Sequence, residues 1–459
     1  MDVIRFATTA VCPIRQRTAR KFSLFILSTL IGCSWSGSKP VSPAPEQSVA
    51  QIAHATEQIR ALAFKRQVKL SDQLANSSAT DAAQPTAQVS RVYKRIGLIA
   101  ESVDLVQAYG QFFKLERAAF YDPGRDAIFI SPEAVKIGQA LAGAPTRDAS
   151  AVAAVIALTR ALQEQHFRWQ ERVKGITSED RKLAFKAVAD GDATTVALHF
   201  LKSNPSTVLW ADHVQAMGRL TAELERAGSS LPVMLREQLV FPYRDGTQFV
   251  QWAYAAKGWS GVNALFADPP VSSAQILHPE RYYLRRSPPV QIIPFGLFRQ
   301  TQQSALTEQT LGEFLIQVLL ASSHSRQDAA LIASNWNGDY LSAYPDGENL
   351  IIAWLSAWNG EGDAQRFYRA FQTVLERRHH LRFEAAARPQ DGLKADLPTG
   401  RSMILQVRGS VVLLLDGMTA TRALETSESI WKELEIRPES PSFPFETAKG
   451  PTHRSLISR

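Results

Sequence analysis

The apolar residues of the chain recur mostly at the spacing of an α-helix. In the segment from residue 49 to 74 they include Ile52, Ile59 and Val68, which would form one face of a helix. The same periodicity predicts further helices at residues 92–113, 149–173, 178–201, 211–226, 232–238, 247–257, 311–322, 327–334 and 361–377. Most of the chain is therefore predicted to be helical.

Two segments follow a strand pattern instead. Residues 118–130 contain aromatic and β-branched residues on both sides of Asp122-Pro123-Gly124, which predicts a strand, a turn and a strand. Residues 403–407 and 411–415 flank Arg408-Gly409-Ser410 and predict a hairpin, followed by a helix to about residue 435. The predicted fold class is α+β, mainly helical, with a small antiparallel sheet.

The N-terminus has the features of an export signal. A basic cluster precedes the apolar run Phe22–Ile31, which is too short to span a bilayer. The run ends in Leu30-Ile31-Gly32-Cys33, which resembles a bacterial lipobox, where cleavage precedes a cysteine that is then lipidated. The resemblance implies a lipoprotein signal peptide over residues 1–32 and lipidation of Cys33. The alternatives are a plain secretory signal and an N-terminal anchor.

The segments after Cys33 differ in composition. Residues 33–48 form a Pro/Ser-rich tether, and residues 49–390 are predicted to form the main domain. Residues 391–437 would add a hairpin and a helix packed on it, and residues 438–459 a disordered tail. The predicted protein is exported and anchored in the bacterial cell envelope by its lipid. The sequence does not distinguish the inner from the outer membrane.

Composition and charge exclude several classes of protein. The 459 residues are 45% hydrophobic and 21% charged, which is typical of a globular protein. The net charge is +7, but the first 32 residues carry +4, so the remainder needs no nucleic-acid partner. The only cysteines are Cys12 and Cys33. If Cys12 leaves with the signal and Cys33 is acylated, cysteine catalysis and thiolate metal sites are excluded.

Several motifs occur in the order found in one known family. The run Ala161–Phe167 (ALQEQHF) resembles the segment after the zinc motif in a family of extracytoplasmic proteins predicted to be zinc metallopeptidases, which read H-E-L-x-H-A-L-Q-D-Q-H-F. Residues 189–194 (ADGDAT) are similar to the E-G-D-A-T motif of that family. Further similar segments are residues 119–123, 241–249, 258–263, 277–282 and 336–339. The resemblance implies a zincin-like metallopeptidase fold for residues 49–390.

The metal site expected of the family is altered in this sequence. Two histidines four residues apart on one helix and a carboxylate on a second helix would bind zinc, and the glutamate after the first histidine would act as general base. HExxH is replaced by Ile156-Ala157-Leu158-Thr159-Arg160, so neither histidine nor the glutamate is present. The E-G-D-A-T glutamate corresponds to Asp190. Zinc is expected of the family and is predicted to be lost here, so no cofactor is predicted.

The substitutions suggest what replaces the metal. Arg160 and Asp190 occupy the positions of two ligands on two helices and carry opposite charges. We expect them to form a structural ion pair that joins the helices as zinc would. In the alternative, Arg160 extends to solvent and Asp190 caps a turn.

Other residues remain candidates for a site. A rearranged metal site could use His166, Asp190 and His199, which would make the protein an active hydrolase. The motif positions also predict a cleft, lined by His166, Trp259, His278, Tyr282 and Trp336. The favoured prediction is a catalytically inactive envelope lipoprotein with a binding or scaffolding role, and with peptide or protein ligands. A third interpretation is a lipid-anchored structural module whose cleft is filled by side chains.

Overall fold

The computed structural model describes residues 48–71, 86–143, 149–202, 210–297, 304–386, 388 and 391–438. The predicted signal peptide, the predicted lipidation site Cys33 and the tether up to residue 47 lie outside the described residues. The predicted tail lies outside them as well, except for Pro438, which is not disordered as predicted but ends a strand and pairs with Val290.

Helices make up most of the fold, as predicted. Those before residue 300 are α1 (Val49–Arg60), α2 (Ala87–Arg95), α3 (Leu105–Glu116), α4 (Pro132–Ala142), α5 (Ala149–Phe167), α6 (Trp169–Lys174), α7 (Glu179–Phe200), α8 (Trp210–Ala227), α9 (Val233–Ala267), α10 (Ser273–Leu277) and α11 (Glu280–Tyr283). Those after it are α12 (Gly312–Leu320), α13 (Arg326–Ala333), α14 (Glu361–His379) and α15 (Ala420–Lys432). Within the described residues, no helix combines the length and apolarity that crossing a bilayer requires.

Some helix boundaries differ from the prediction. The single helix predicted at residues 92–113 is two helices, α2 and α3, and Gly97 between them has a φ of +85°. The two helices predicted at residues 232–238 and 247–257 are one long helix, α9, whose backbone is non-helical at Lys257 and Gly258. Helix α15 ends at Lys432, before the predicted end at residue 435, because the chain enters a strand there.

The strands form three sheets. The strands are β1 (Lys69–Leu70), β2 (Ala119–Asp122), β3 (Ala127–Ile130), β4 (Val290–Pro294), β5 (Thr307–Gln309), β6 (Trp336–Asp346), β7 (Asn349–Trp358), β8 (Glu384–Ala385), β9 (Leu393–Asp396), β10 (Ser402–Arg408), β11 (Val411–Met418) and β12 (Leu434–Pro438). The largest sheet is antiparallel, in the order β5-β6-β7-β11-β10-β9-β8. A three-stranded sheet has the order β1-β3-β2, and β12 pairs with β4.

Both predicted strand pairs are confirmed. Strands β2 and β3 are antiparallel and pair Ala119 with Ile130, and β10 and β11 pair Arg408 with Val411 across the predicted turn. Gly409 in that turn has a φ of +55°, a conformation that glycine adopts without strain. The fold is thus α+β and mainly helical, with an antiparallel sheet.

The large sheet consists of two adjacent units, and each unit is followed by a helix. In the first unit β6 and β7 form a hairpin with β5 beside β6; α12 and α13 lie between β5 and β6 in the chain, and α14 follows β7. In the second unit β8, β9, β10 and β11 form a meander, which α15 follows. The units join through antiparallel pairing of β7 with β11, with Leu355 opposite Leu413. The boundary predicted at residue 390 falls between β8 and β9, and the sheet continues across it.

Helices cover both faces of this sheet. On one face, Trp354 of β7 lies edge-on to Phe367 and Phe371 of α14, at ring-centroid distances of 5.7 and 4.9 Å. The neighbouring residues of β7, such as Ala353 and Leu355, point the other way and belong to a second core with residues of α15. Since both faces are buried, β7 and β11 are apolar along almost their whole length.

Candidate functional site

Helices α5 and α7 carry the motif residues and lie in the middle of the helical core. Almost every residue from Ala149 to Gln165 in α5 is buried, and so is the segment from Leu183 to His199 of α7 with one exception. Ser178 caps α7 by accepting a hydrogen bond from the backbone N–H of Arg181. The polar side chains of these helices therefore meet each other instead of water.

Helices α7 and α9 cross at close distance next to Asp190. A Cβ atom on the next residue, Gly191, would lie 2.3 Å from the carbonyl oxygen of Gly246, and one on Gly246 would lie 2.2 Å from the carbonyl oxygen of Ala187. Only glycine at both positions allows the helix backbones to approach this closely. The glycine of the ADGDAT motif thus has a packing role.

The structure brings Arg160 and Asp190 together. Both side chains are buried, and Nη2 of Arg160 lies 2.7 Å from Oδ1 of Asp190. The same nitrogen donates a hydrogen bond of 3.0 Å to the hydroxyl of Tyr243 on α9, and Nη1 donates to the backbone oxygen of Ala119 on β2. Arg160 therefore connects α5 to α7, to α9 and to the small sheet.

Two further charges complete this group, which we call the Arg160 cluster: Arg160, Asp190, Lys186, Glu116 and Tyr243. The ammonium of Lys186, one helical turn before Asp190, contacts its Oδ2 and lies 3.5 Å from Oε1 of Glu116. The cluster thus contains two cations and two carboxylates, so its formal charge is zero. A charge-balanced group is the form in which ionised side chains can be buried at low cost.

The pKa values in the cluster shift toward the ionised forms. Burial would raise the pKa of Asp190, but the positive charges of Lys186 and Arg160 outweigh it and hold the pKa below its usual range. Burial opposes the charges of Arg160 and Lys186, but Tyr243 and Asp190 raise the pKa of Arg160, and Asp190 and Glu116 raise the pKa of Lys186. All three groups are therefore charged at neutral pH.

The residues at these positions do not fit a zinc ion. Ile156 and Ala157, which the resemblance aligns with the first histidine and the glutamate, are buried and have side chains that cannot bind a metal ion. The carboxylate of Asp190 is already bound by Arg160 and Lys186, which would both repel a metal cation. A second metal ligand would have to come from elsewhere in the fold.

The predicted rearranged site of His166, Asp190 and His199 is not brought together. His166 lies at the end of α5, and its Nε2 is 2.8 Å from the backbone oxygen of Ala63. His199 is nine residues beyond Asp190 on α7, roughly 13 Å along the helix axis. Across the described ranges, no three His, Cys, Asp or Glu side chains are grouped so that they could hold a metal ion.

The buried His199 and the partly buried Trp259 lie next to a fully buried ion pair. Nε of Arg60 lies 2.9 Å from Oδ1 of Asp192, and its guanidinium stacks 4.7 Å from the ring centroid of Trp259. The ring centroid of His199 is 5.7 Å from that of Trp259. The aromatic residues here enclose a cation of the protein itself, so Trp259 does not line a free groove at this point.

Of the remaining cleft candidates, His278 and Trp336 contact a third group of polar residues, and Tyr282 has a separate contact. Nε2 of His278 is 2.6 Å from Oε1 of the buried Glu313. The Trp336 indole is buried and donates a hydrogen bond of 3.0 Å to Asp339. The Tyr282 hydroxyl donates to a backbone oxygen at residue 268. Each of the five cleft candidates thus contacts another residue of the protein. The contacts of Trp259 and His166 lie in other parts of the fold than those of His278, Tyr282 and Trp336, so the five do not line one cleft.

Two buried carboxyl groups near Glu313 have strongly shifted pKa values. Burial raises the pKa of Asp180 to about 8, although its carboxyl oxygens accept hydrogen bonds of 3.1 and 3.2 Å from the backbone N–H of Ser273. Burial also raises the pKa of Asp339 to about 6. Four hydrogen bonds to its carboxylate act in the opposite direction and lower the pKa; they come from the backbone N–H groups of Leu311 and Gly312 and the indoles of Trp336 and Trp354. These groups join α7, α10 and α12 to the large sheet.

Sequence reasoning missed several members of these groups. Lys186 lies four residues before Asp190, and this spacing places two side chains on the same helix face. Their ion pair could therefore have been predicted from the sequence. Tyr243 lies in the motif segment 241–249, for which the sequence alone indicates no role. No local pattern relates Glu116, Arg60 or Glu313 to its partner, because the partners are remote in sequence.

Comparison with known proteins gives one partial match. A family model described as a domain of unknown function (DUF8575) matches residues 299–427. The match spans the seven-stranded sheet and leaves out α5, α7 and the Arg160 cluster. No curated protein and no solved structure shows significant similarity to the chain.

Proposed function

We propose that this protein is a non-catalytic, metallopeptidase-like component of the bacterial cell envelope with a scaffolding or binding role. In this proposal a buried ion-pair cluster occupies the place of the metal centre of a zincin-like fold. The protein would be anchored through a lipid on Cys33, as the sequence of its N-terminus suggests.

The Arg160 cluster is the observation that carries the proposal. The side chains at two positions that correspond to metal ligands, Arg160 and Asp190, are 2.7 Å apart and almost inaccessible to solvent. Their contact joins the same two helices that zinc would join in the family. The metal would thus be replaced in its structural role, while its chemical role would be lost.

The position of the catalytic base supports the same conclusion. A general base must reach the water or substrate whose proton it removes. Ala157 stands at this position; it is completely buried and cannot accept a proton. Hydrolysis by the mechanism of the family would therefore have neither an activated water nor a base.

The packing of the cleft candidates favours scaffolding over peptide binding at the old site. Trp259 covers the guanidinium of Arg60, and Trp336 donates to Asp339. His278 is bound to Glu313. Each of these side chains has a protein partner, so a peptide at this place would have to displace existing contacts.

Metal content tests the proposal. The full chain, purified in detergent without a metal-affinity tag, is measured by elemental mass spectrometry and melted with and without a chelator. We expect zinc far below one ion per chain and an unchanged melting temperature. Near-stoichiometric zinc together with a lower melting temperature in chelator would refute the proposal, because removing a bound structural metal destabilises a protein.

Restoring the motif tests the relationship to metallopeptidases. The variant carries Ile156→His, Ala157→Glu, Arg160→His and Asp190→Glu, with Lys186→Met to remove the competing cation. We expect this variant to bind zinc and to melt at a higher temperature when zinc is added. The matched control lacks only Ile156→His and should bind zinc much more weakly. A folded variant that binds no more zinc than its control would count against the zincin-like assignment.

A further inference from the structure

A small cationic cavity is lined by residues outside the Arg160 cluster. It has a volume of about 160 Å³ and is formed by the C-terminal half of α2 and by the ends of β7, β10 and β11. Clefts for drug-sized organic molecules usually have volumes of about 300–1,000 Å³. A water molecule takes about 30 Å³ of liquid volume, so the cavity has room for a small ion and a few waters.

Four cationic side chains line this cavity. Arg91, Lys94 and Arg95 lie on one face of α2, at the three- and four-residue spacing of a helix, and Arg401 precedes β10 on the opposite wall. Glu101 is the one acidic residue among the lining residues. The wall of the cavity is therefore predominantly positive.

Two of the cations are held in place by carboxylates. Nε of Arg95 donates a hydrogen bond of 2.7 Å to the buried Asp416. Arg401 forms an ion pair with Asp346 and donates a hydrogen bond of 2.5 Å to the backbone oxygen of Gly417. Guanidinium groups fixed in this way lose little additional freedom when they bind a ligand.

Among the residues that the structure describes, the other two cations have no carboxylate partner. Nη2 of Arg91 donates to the backbone oxygen of Glu348 at 2.8 Å, a neutral acceptor. In the described parts of the chain, no residue forms an ion pair or hydrogen bond with the half-buried Lys94 ammonium. The cavity wall thus has more cationic side chains than are paired with carboxylates of the described residues.

We propose that this cavity binds a small oxyanion of the phosphate class. Arg91 and Lys94 would supply the charge that attracts the anion. Arg95 and Arg401 would offer N–H donors in fixed positions, since guanidinium groups bind phosphate oxygens in well-defined geometry. The inference does not depend on the non-catalytic role proposed above, because none of its residues belongs to the Arg160 cluster.

Titration with inorganic phosphate tests the inference. Binding to the full chain in detergent is measured by isothermal titration calorimetry and by melting, with sodium chloride adjusted to keep the ionic strength constant. We expect saturable binding and a rise in melting temperature that chloride alone does not produce. If phosphate and chloride at equal ionic strength have the same effect, the inference is refuted.

Two lysine variants make the test specific to the cavity. Lys94→Gln should weaken phosphate binding about tenfold, which corresponds to about 1.4 kcal/mol. Lys114→Gln is the matched control, because Lys114 also lies in the last turn of its helix but is exposed and outside the cavity. It should bind phosphate as the unchanged chain does. Equal affinities of the two variants would refute the inference even if phosphate binds somewhere.

A second probe identifies the source of the phosphate group. Glycerol phosphate carries the phosphate of a lipid headgroup without the acyl chains. Tighter, Lys94-dependent binding of glycerol phosphate would support the site with a lipid headgroup as ligand. Lys94-dependent binding of inorganic phosphate with equal or higher affinity would support it with the free ion, and binding of both probes that does not depend on Lys94 would refute it.

Discussion

Asp190 is the residue on which the Arg160 cluster depends most. Its carboxylate binds two cations, Arg160 and Lys186, whereas each cation also has another partner. We therefore expect Asp190→Asn to lower the free energy of unfolding more than Arg160→Met does. In both variants the new side chain is similar in size to the native one, so the change in packing is small.

The magnitudes follow from the number of charges left without a partner. Removing one member of a buried ion pair usually costs about 3–5 kcal/mol. Asp190→Asn should lie at the upper end, because Glu116, which lies 3.5 Å from Lys186, would be the one carboxylate left in the cluster for two cations, and Arg160 would keep only neutral acceptors. Arg160→Met should cost about 2–3 kcal/mol, because Asp190 keeps Lys186 and mainly hydrogen bonds are lost.

Urea unfolding followed by circular dichroism at pH 7 measures these differences. The control is Arg226→Met, since Arg226 forms an exposed pair with Glu223 whose loss should cost less than about 1 kcal/mol. If Asp190→Asn is no more destabilising than Arg226→Met, the cluster does not join the helices as we infer. A larger effect of Arg160→Met than of Asp190→Asn would contradict the argument from charge balance.

The pH dependence of the effect provides a further check. Folding lowers the pKa of Asp190, so its contribution to stability is present above the pKa of an unfolded aspartate, about 3.9. The contribution is lost as the pH falls through the lower pKa of the folded state. The difference between the native chain and Asp190→Asn should thus stay constant from neutral pH to about pH 5 and shrink below about pH 4.

Two other changes test different parts of the structure. Folding raises the pKa of Asp180 to about 8, so the native chain should lose stability as the pH rises from about 4 to about 8, by at most about 6 kcal/mol. Asp180→Asn, which can still accept from Ser273, should remove this loss in urea titrations at pH 5 and pH 9; an unchanged slope would contradict the assignment. Gly191→Ala should cost at least about 2 kcal/mol because its Cβ would clash with Gly246, whereas Gly110→Ala, with open space around it, should stabilise α3 by up to about 1 kcal/mol. A melting temperature of Gly191→Ala that does not fall below that of the unchanged chain would contradict the close helix crossing.

The helices were predictable because their pattern is local, but most of the large sheet was not. Strands β10 and β11 were recognised by the turn between them, where Gly409 is a clear signal. Strands β6 and β7 were missed because the sheet is covered on both faces. A strand such as β7, with Ile352, Ala353 and Trp354 all buried, shows no alternation of polar and apolar residues.

The candidate site was predictable only where a motif supplied the pairing. The comparison of Arg160 and Asp190 with metal-ligand positions led to the expectation that they meet, and the structure places them 2.7 Å apart. Periodicity alone could not have related two residues on different helices. Nothing in the local sequence indicates that Arg60 pairs with Asp192, because that contact depends on how α1 docks against α7.

The junction between β7 and β11 has a consequence for shortened forms of the chain. In the complete sheet both of these strands are interior, and each is protected by a neighbour on either side. A chain that ended before Ser402 would leave β7 at an open edge, with a row of unpaired backbone N–H and C=O groups beside apolar side chains. Such an edge is a template for pairing with another molecule. We therefore expect β10 and β11 to protect the protein from aggregation, in addition to completing its core.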